Sequence, residues 1–97
     1  MVDISYRIFD LVVSTNSLAK TAELVHLSPS AVSHSLRKLE QTLGMQLVIR
    51  GRDGVKLTTA GKELLPHVRY TLKAEERLQQ EISRISDVRA GVLHVGV

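Results

Sequence analysis

The chain has 97 residues, with 13 Lys and Arg against 10 Asp and Glu and no cysteine, which suits one small domain with a modest core and excludes disulfides and cysteine-ligated zinc fingers. Its start, "MVDISYRIFDLVV", carries Asp3, Arg7 and Asp10 among the apolar residues and lacks a basic lead, so it does not read as a signal peptide. No apolar run reaches membrane-spanning length, and a soluble, cytoplasmic protein without a membrane partner is expected.

Asp3 is a plausible N-cap, and Ile4, Ile8, Leu11 and Val12 then recur at helical spacing, giving a first helix that stops near Ser14. "TNS" breaks the chain, and Ser17 caps a second helix whose buried stripe is Leu18, Ala22 and Val25. After the short turn "HLS", Ser28 followed by Pro29 marks a third start, because proline at the first helical position gives up no bond the helix needs. Val32, Leu36, Leu39 and Leu43 form one continuous stripe on this helix, and Gly44 ends it.

"LVIR" (47–50) and "VKLT" (55–58) are β-type runs around "GRDG", where Asp53-Gly54 suits a hairpin turn. Thr58 caps a long final helix with an apolar seam of Leu65, Val68, Leu72, Leu78, Ile82 and Ile85, reaching about Asp87. At about 30 residues it is too long to pack wholly on so small a body, and Pro66 inside it is expected to bend it. The tail "GVLHVGV" alternates like a strand and is expected to open a further domain. Residues 1–58, 59–88 and 89–97 therefore divide into a first domain, a linker helix and the start of another domain.

The third helix crowds serines into its first turns, although serine is a mediocre helix former. At about 100° per residue, Ser30, Ser33, His34, Arg37, Lys38 and Gln41 lie opposite the apolar stripe, so the short hydroxyls face outward and let the backbone approach another surface. Between residues 28 and 62 stand Arg37, Lys38, Arg50, Arg52, Lys56 and Lys62 against Glu40 and Asp53, six basic residues against two acidic. Hydroxyls and backbone amides suit phosphates, and the following Arg and Lys suit base edges. A helix-turn-helix bound to double-stranded DNA through its third helix, with the hairpin as a wing carrying Arg50, Arg52 and Lys56, fits this pattern. Ser28 on its own is better read as a cap.

The stretch "NSLAKTAELVHLSPSAVSHSLRKLEQTLGMQLVIRGRDGVKLTTAGKELL" resembles the N-terminal domain of LysR-type transcriptional regulators. The likeness rests on Ser17, Ala19 and Ala22, on Ser28, Ser30, Ala31, Val32 and Ser33, on Leu39, Glu40, Leu43, Gly44, Leu47 and Arg50, and on Val55, Leu57, Thr58, Ala60 and Gly61. It implies a mainly α winged helix-turn-helix with a small β-hairpin, a linker helix pairing antiparallel with its mate, and a small-molecule-sensing domain. It implies groove contacts from Pro29, Ser30, Ser33, His34 and Arg37, wing contacts from Arg50 and Arg52, and phosphates near Thr58. Full-length members of this kind commonly form tetramers and respond to a small-molecule co-inducer. In this chain Pro29 stands where the family often has glutamine, so a base-reading amide is replaced by a ring without a donor.

Other readings are weaker. Catalysis would need Ser30 or Ser33 with His34 or His26, yet no glycine elbow surrounds them and no carboxylate orients either histidine, so an enzyme is not expected. His26 and His67 lack further ligands at metal-binding spacing, and neither metal nor cofactor is expected. The seam beyond Leu72 must bury against something, and a second copy is the expected partner through Leu72, Leu78, Ile82 and Ile85, since it also supplies two-fold symmetry for a palindromic site.

Overall fold

Six elements follow one another in a computed structural model that describes residues 2–95, with side chains described for 2–89. They are α1 (Ile4–Thr15), α2 (Leu18–Val25), α3 (Pro29–Leu43), β1 (Val48–Gly51), β2 (Gly54–Leu57) and α4 (Thr59–Val95). The helix starts fall where the capping residues stand. Asp3 accepts from the Ser5 amide at 2.9 Å, Ser17 from Lys20 at 3.0 Å, Ser28 from Ala31 at 3.1 Å and Thr58 from Gly61 at 3.0 Å. Each hydroxyl cap is worth about 1 kcal/mol to its helix. Asn16, His26 and Gly44 end the first three helices in the left-handed region, where asparagine, histidine and above all glycine are tolerated.

The core gathers Ile8, Phe9, Val12, Ala22, Val32, Leu36, Leu39, Leu47, Val48, Leu65 and Val68. The α3 stripe lies in it as the spacing requires, with Leu43 packed at its edge. In α1 the buried face is Ser5, Ile8, Phe9 and Val12, so Ile4, expected inside, is half exposed and Phe9, not expected, is fully buried. The cause is tertiary. Helices α2, α3 and α4 all pack on α1, and together they turn its buried face toward Phe9. Thr21 is also fully buried, with its hydroxyl donating to the Ser17 carbonyl at 2.8 Å.

The hairpin pairs Val48 with Leu57 and Gly51 with Gly54. Its loop is therefore Arg52–Asp53, one residue earlier than the expected Asp53-Gly54, and Gly54 takes the positive φ of +110°. Glu40 holds the entry to β1, its carboxylate accepting from the amides of Leu47 at 2.6 Å and Val48 at 3.3 Å. The first turn of α4 lies directly on the same backbone: Thr58 donates its amide to the Leu47 carbonyl at 3.0 Å, and a Cβ on Gly61 would overlap that oxygen. Only glycine allows so close an approach.

Helix α4 runs antiparallel to α1. Arg69 pairs with Asp10 at 2.8 Å and donates to Ser14 at 3.2 Å, while Glu75 accepts from the Val2 amide at 3.2 Å. The helix continues through Pro66 and on to Val95, so the expected end near Asp87 and the expected strand in "GVLHVGV" are corrected over residues 91–95. Residues 96 and 97 lie outside the described residues. An extended segment without a neighbouring strand leaves its backbone groups unpaired, whereas continued helix pairs each amide with a carbonyl four residues back. The result is a body from which α4 projects, with overall dimensions of 61 × 26 × 21 Å. No helix among the described residues is long and apolar enough to cross a membrane.

Candidate nucleic-acid interface

The outward face of α3 is built by the same periodicity that buries its stripe. Ser30, His34, Arg37, Lys38 and Gln41 are exposed, and Ser33 is half-buried where the hairpin comes alongside. His34, Arg37, Lys38 and Gln41 line one open depression, an arrangement of side chains able to donate to an acceptor-rich surface. At the helix start the Ser28 hydroxyl caps the Ala31 amide and lies 3.2 Å from that of Ser30, so Ser28 serves the helix before any ligand. Pro29 is exposed at the first helical position.

The wing joins this face through one contact. Arg50 on β1 donates from Nη1 to the Ser33 hydroxyl at 2.7 Å, which brings the guanidinium onto the first turns of α3. Arg52 in the hairpin loop and Lys56 on β2 are exposed beyond it. Thr58 is committed within the fold, because its hydroxyl donates to the Gln46 carbonyl at 2.6 Å while accepting from Gly61. One hydroxyl lone pair remains for a further donor, and none of its hydrogens.

Near this surface Glu40 and Asp3 accept from backbone amides, while Asp53 is exposed in the hairpin loop. Glu40 faces the amides of Leu47 and Val48. Asp3 lies at the edge beside Lys38, and its carboxyl is held below the usual carboxylate range, first by the Ser5 amide, then by the Ser5 side chain, and weakly by Lys38. The carboxylate thus stays ionised where it caps α1, one negative charge at the edge of a face that Arg37, Lys38, Arg50, Arg52 and Lys56 keep basic. Among the described residues neither Ser30 nor Ser33 is hydrogen-bonded to a histidine, and Ser33 instead meets a guanidinium. That is not the geometry of an activated nucleophile.

The pattern of the family described as "Bacterial regulatory helix-turn-helix protein, lysR family" matches residues 5–62. The chain belongs to the LysR family. Its class is therefore that of a bacterial regulatory helix-turn-helix protein, as the resemblance implied. Among relatives, it is 32% identical over 91 residues to the HTH-type transcriptional regulator YvbU of Bacillus subtilis (strain 168), covering 93% of this chain and 31% of YvbU. It is 39% identical over 89 residues to the regulator y4mQ of Sinorhizobium fredii, covering 92% of this chain and 29% of that one. The chain thus spans less than a third of the length of these two regulators. Among solved structures, the DNA-binding domain of BenM in complex with catB site 1 DNA superposes with a TM-score of 0.80 at 28% identity, over 89% of this chain and 97% of that one. The fold is the winged helix-turn-helix with a long helix that LysR regulators share.

The apolar row expected to pair with a second copy of this LysR-type chain divides in two. Leu72 is half-buried against its own core. Leu78, Ile82 and Ile85 stand 51%, 44% and 45% exposed on α4, joined by Val88 at 55%, which the sequence reading ended too early to include. Sequence reasoning also missed Asn16, whose side chain holds the wing: Nδ2 donates to the Asp53 carbonyl at 3.1 Å, and Oδ1 accepts from the Val55 amide at 2.7 Å. An asparagine between two helices reads only as a turn residue, and nothing local announces partners nearly 40 positions away.

Proposed function

We propose that this LysR-type chain binds double-stranded DNA as a homodimer, with the start of α3 in the major groove and the wing against flanking phosphates. The observation that carries the reading is the junction of Ser33 with Arg50, which makes the outward face of α3 and the hairpin one continuous basic surface. In this reading Ser30, Ser33, His34, Arg37 and Lys38 approach base edges and adjoining phosphates, with Pro29 contributing shape alone. Arg50, Arg52 and Lys56 contact phosphates or a minor groove, while Ser28 and Thr58 present the starts of α3 and α4 to the backbone. The complex of the BenM domain with DNA, in a fold this similar, supports it.

Leu78, Ile82, Ile85 and Val88 pair with the same row of a second copy, and the resulting two-fold axis suits a two-fold symmetric site. Residues 1–58 are the DNA-binding unit and α4 the pairing helix. Since the relatives are more than three times as long, we assign tetramer formation and response to a small-molecule co-inducer to a further domain of the full-length protein, acting in the cytoplasm.

Selection from a pool of randomised duplexes near physiological salt tests the reading. Enrichment of a two-fold symmetric site is the expected result. Binding that is salt-sensitive but enriches nothing would overturn sequence-specific reading by this chain, and a chain that sediments as a monomer at micromolar concentration would overturn the homodimer.

A further inference from the structure

We infer that Asn16 is the positioning residue that sets the wing for DNA, an inference that rests on the DNA-binding reading above. A two-stranded hairpin has little stability of its own, so its direction relative to α3 comes from what holds it. Its base is held by Glu40 and the buried Val48, and toward the tip Asn16 holds the loop and β2. Asn16 ends α1 in the left-handed conformation, with φ 56° and ψ 29°, and that geometry turns its amide group toward the hairpin loop. The amide is used at both ends: Nδ2 donates to the carbonyl of Asp53, inside the loop, and Oδ1 accepts from the amide of Val55, on β2.

The hairpin is shaped to receive it. Gly54 sits between these two partners at φ +110°, and a Cβ there would overlap the Asn16 side-chain amide. Asparagine supplies a donor and an acceptor in one planar group, so neither Asp, Ser nor Gly reproduces the pair of bonds. The loop so held carries Arg52, and the strands on either side carry Arg50 and Lys56. Arg50, the cross-strand partner of Val55, is tied to α3 by Ser33, so the tip half of the wing is held from two sides, by α3 and by the turn after α1. A wing held in place before binding does not have to be ordered on the DNA, and the cost of ordering flexible loops and side chains is a direct loss of affinity.

The test compares the wild-type chain with Asn16→Gly, which removes both bonds but keeps a residue at home in the left-handed conformation. Binding of the selected duplex is measured as a function of salt, with Arg52→Ala and the double variant completing a cycle. Asn16→Gly is expected to weaken binding about 5–10-fold and to flatten the slope of log K against log salt by about 0.9, as when one phosphate contact is lost. Arg52→Ala is expected to have most of its effect in the wild-type background and little once Asn16 is gone. Affinity within twofold of wild type for Asn16→Gly, or full additivity of the two substitutions, would overturn the inference while leaving DNA binding intact. A wild-type chain that bound no duplex would overturn both. Backbone order parameters of the free wild-type chain need no variant: about 0.85 for residues 52–55, as in rigid backbone, is expected, and less than about 0.6 would overturn the inference even if Asn16→Gly failed to fold.

Discussion

Two rows of apolar side chains with the same helical spacing have opposite fates in this molecule. In α3, Val32, Leu36 and Leu39 are buried against neighbouring helices. In the outer part of α4, Leu78, Ile82, Ile85 and Val88 stand in solvent. What differs is the surface within reach. Helix α3 is flanked by α1 and α2, whereas α4 packs its last apolar side chain on the core at Leu72 and leaves the body beyond Glu75, which accepts from the Val2 amide. Periodicity declares that a face is apolar; it does not say which surface covers it. Of the two rows, only the second is left to hold a partner.

The comparison is broken most severely by placing a charge in the outer row. Ile82→Asp should weaken self-association by about 3–5 kcal/mol, the cost of an uncompensated buried charge, and leave a folded, helical monomer detectable by sedimentation and circular dichroism. A dimer that survived it would show that the row is not the seam. The buried row responds in the other sense. Leu36→Ala should cost about 2–5 kcal/mol of stability through lost contacts and a residual cavity, read from denaturant unfolding. A loss below about 1 kcal/mol would mean that α3 is not held by its stripe.

On the polar side of α3, Arg37→Ala should cost about 1–3 kcal/mol on the selected site and much less on random DNA, as expected of a base-reading side chain. Arg52→Ala on the wing should weaken both kinds of DNA alike and lower the salt slope by about 0.9. Equal behaviour of the two arginines would remove the distinction between a reading helix and a positioning wing.

The smallest effect concerns the first helix. The lowered pKa of Asp3 stabilises the fold above its unfolded value, near the 3.8 of an unperturbed aspartate, and that stabilisation is lost as pH falls through the folded value. Asp3→Ala should therefore lower the melting temperature slightly at neutral pH, with the difference from wild type shrinking as pH falls below 3.8 and gone once pH lies below the folded value. A difference that stayed constant into acid would refute the cap as its source.

Much of the placement of the candidate site's residues was legible because its signals are local. Ser17, Ser28 and Thr58 announce helix starts by offering an oxygen to the amide three residues on, and Gly44 announces a stop through its backbone freedom. The outward placement of Ser30, His34, Arg37 and Lys38 follows from counting along α3 once the inward stripe is known. What misled was equally physical. Ile4 fits the helical spacing of α1, but the helices packed on α1 bury Phe9 instead. "GVLHVGV" alternates as a strand does, but through Val95 the chain takes the conformation that pairs its backbone groups without a neighbour.

The amino-acid sequence by itself determined where helices begin, which face of each is apolar and that α3 and the hairpin carry an excess of basic over acidic side chains, because caps, periodicity and charge act over a few residues. Only the tertiary structure decided how those pieces act together. The bonds of Ser33 with Arg50, Glu40 with the start of β1, and Asn16 with the wing join positions 7 to 39 residues apart. A hydrogen bond is made where two groups meet in space, and the folded core brings these groups together.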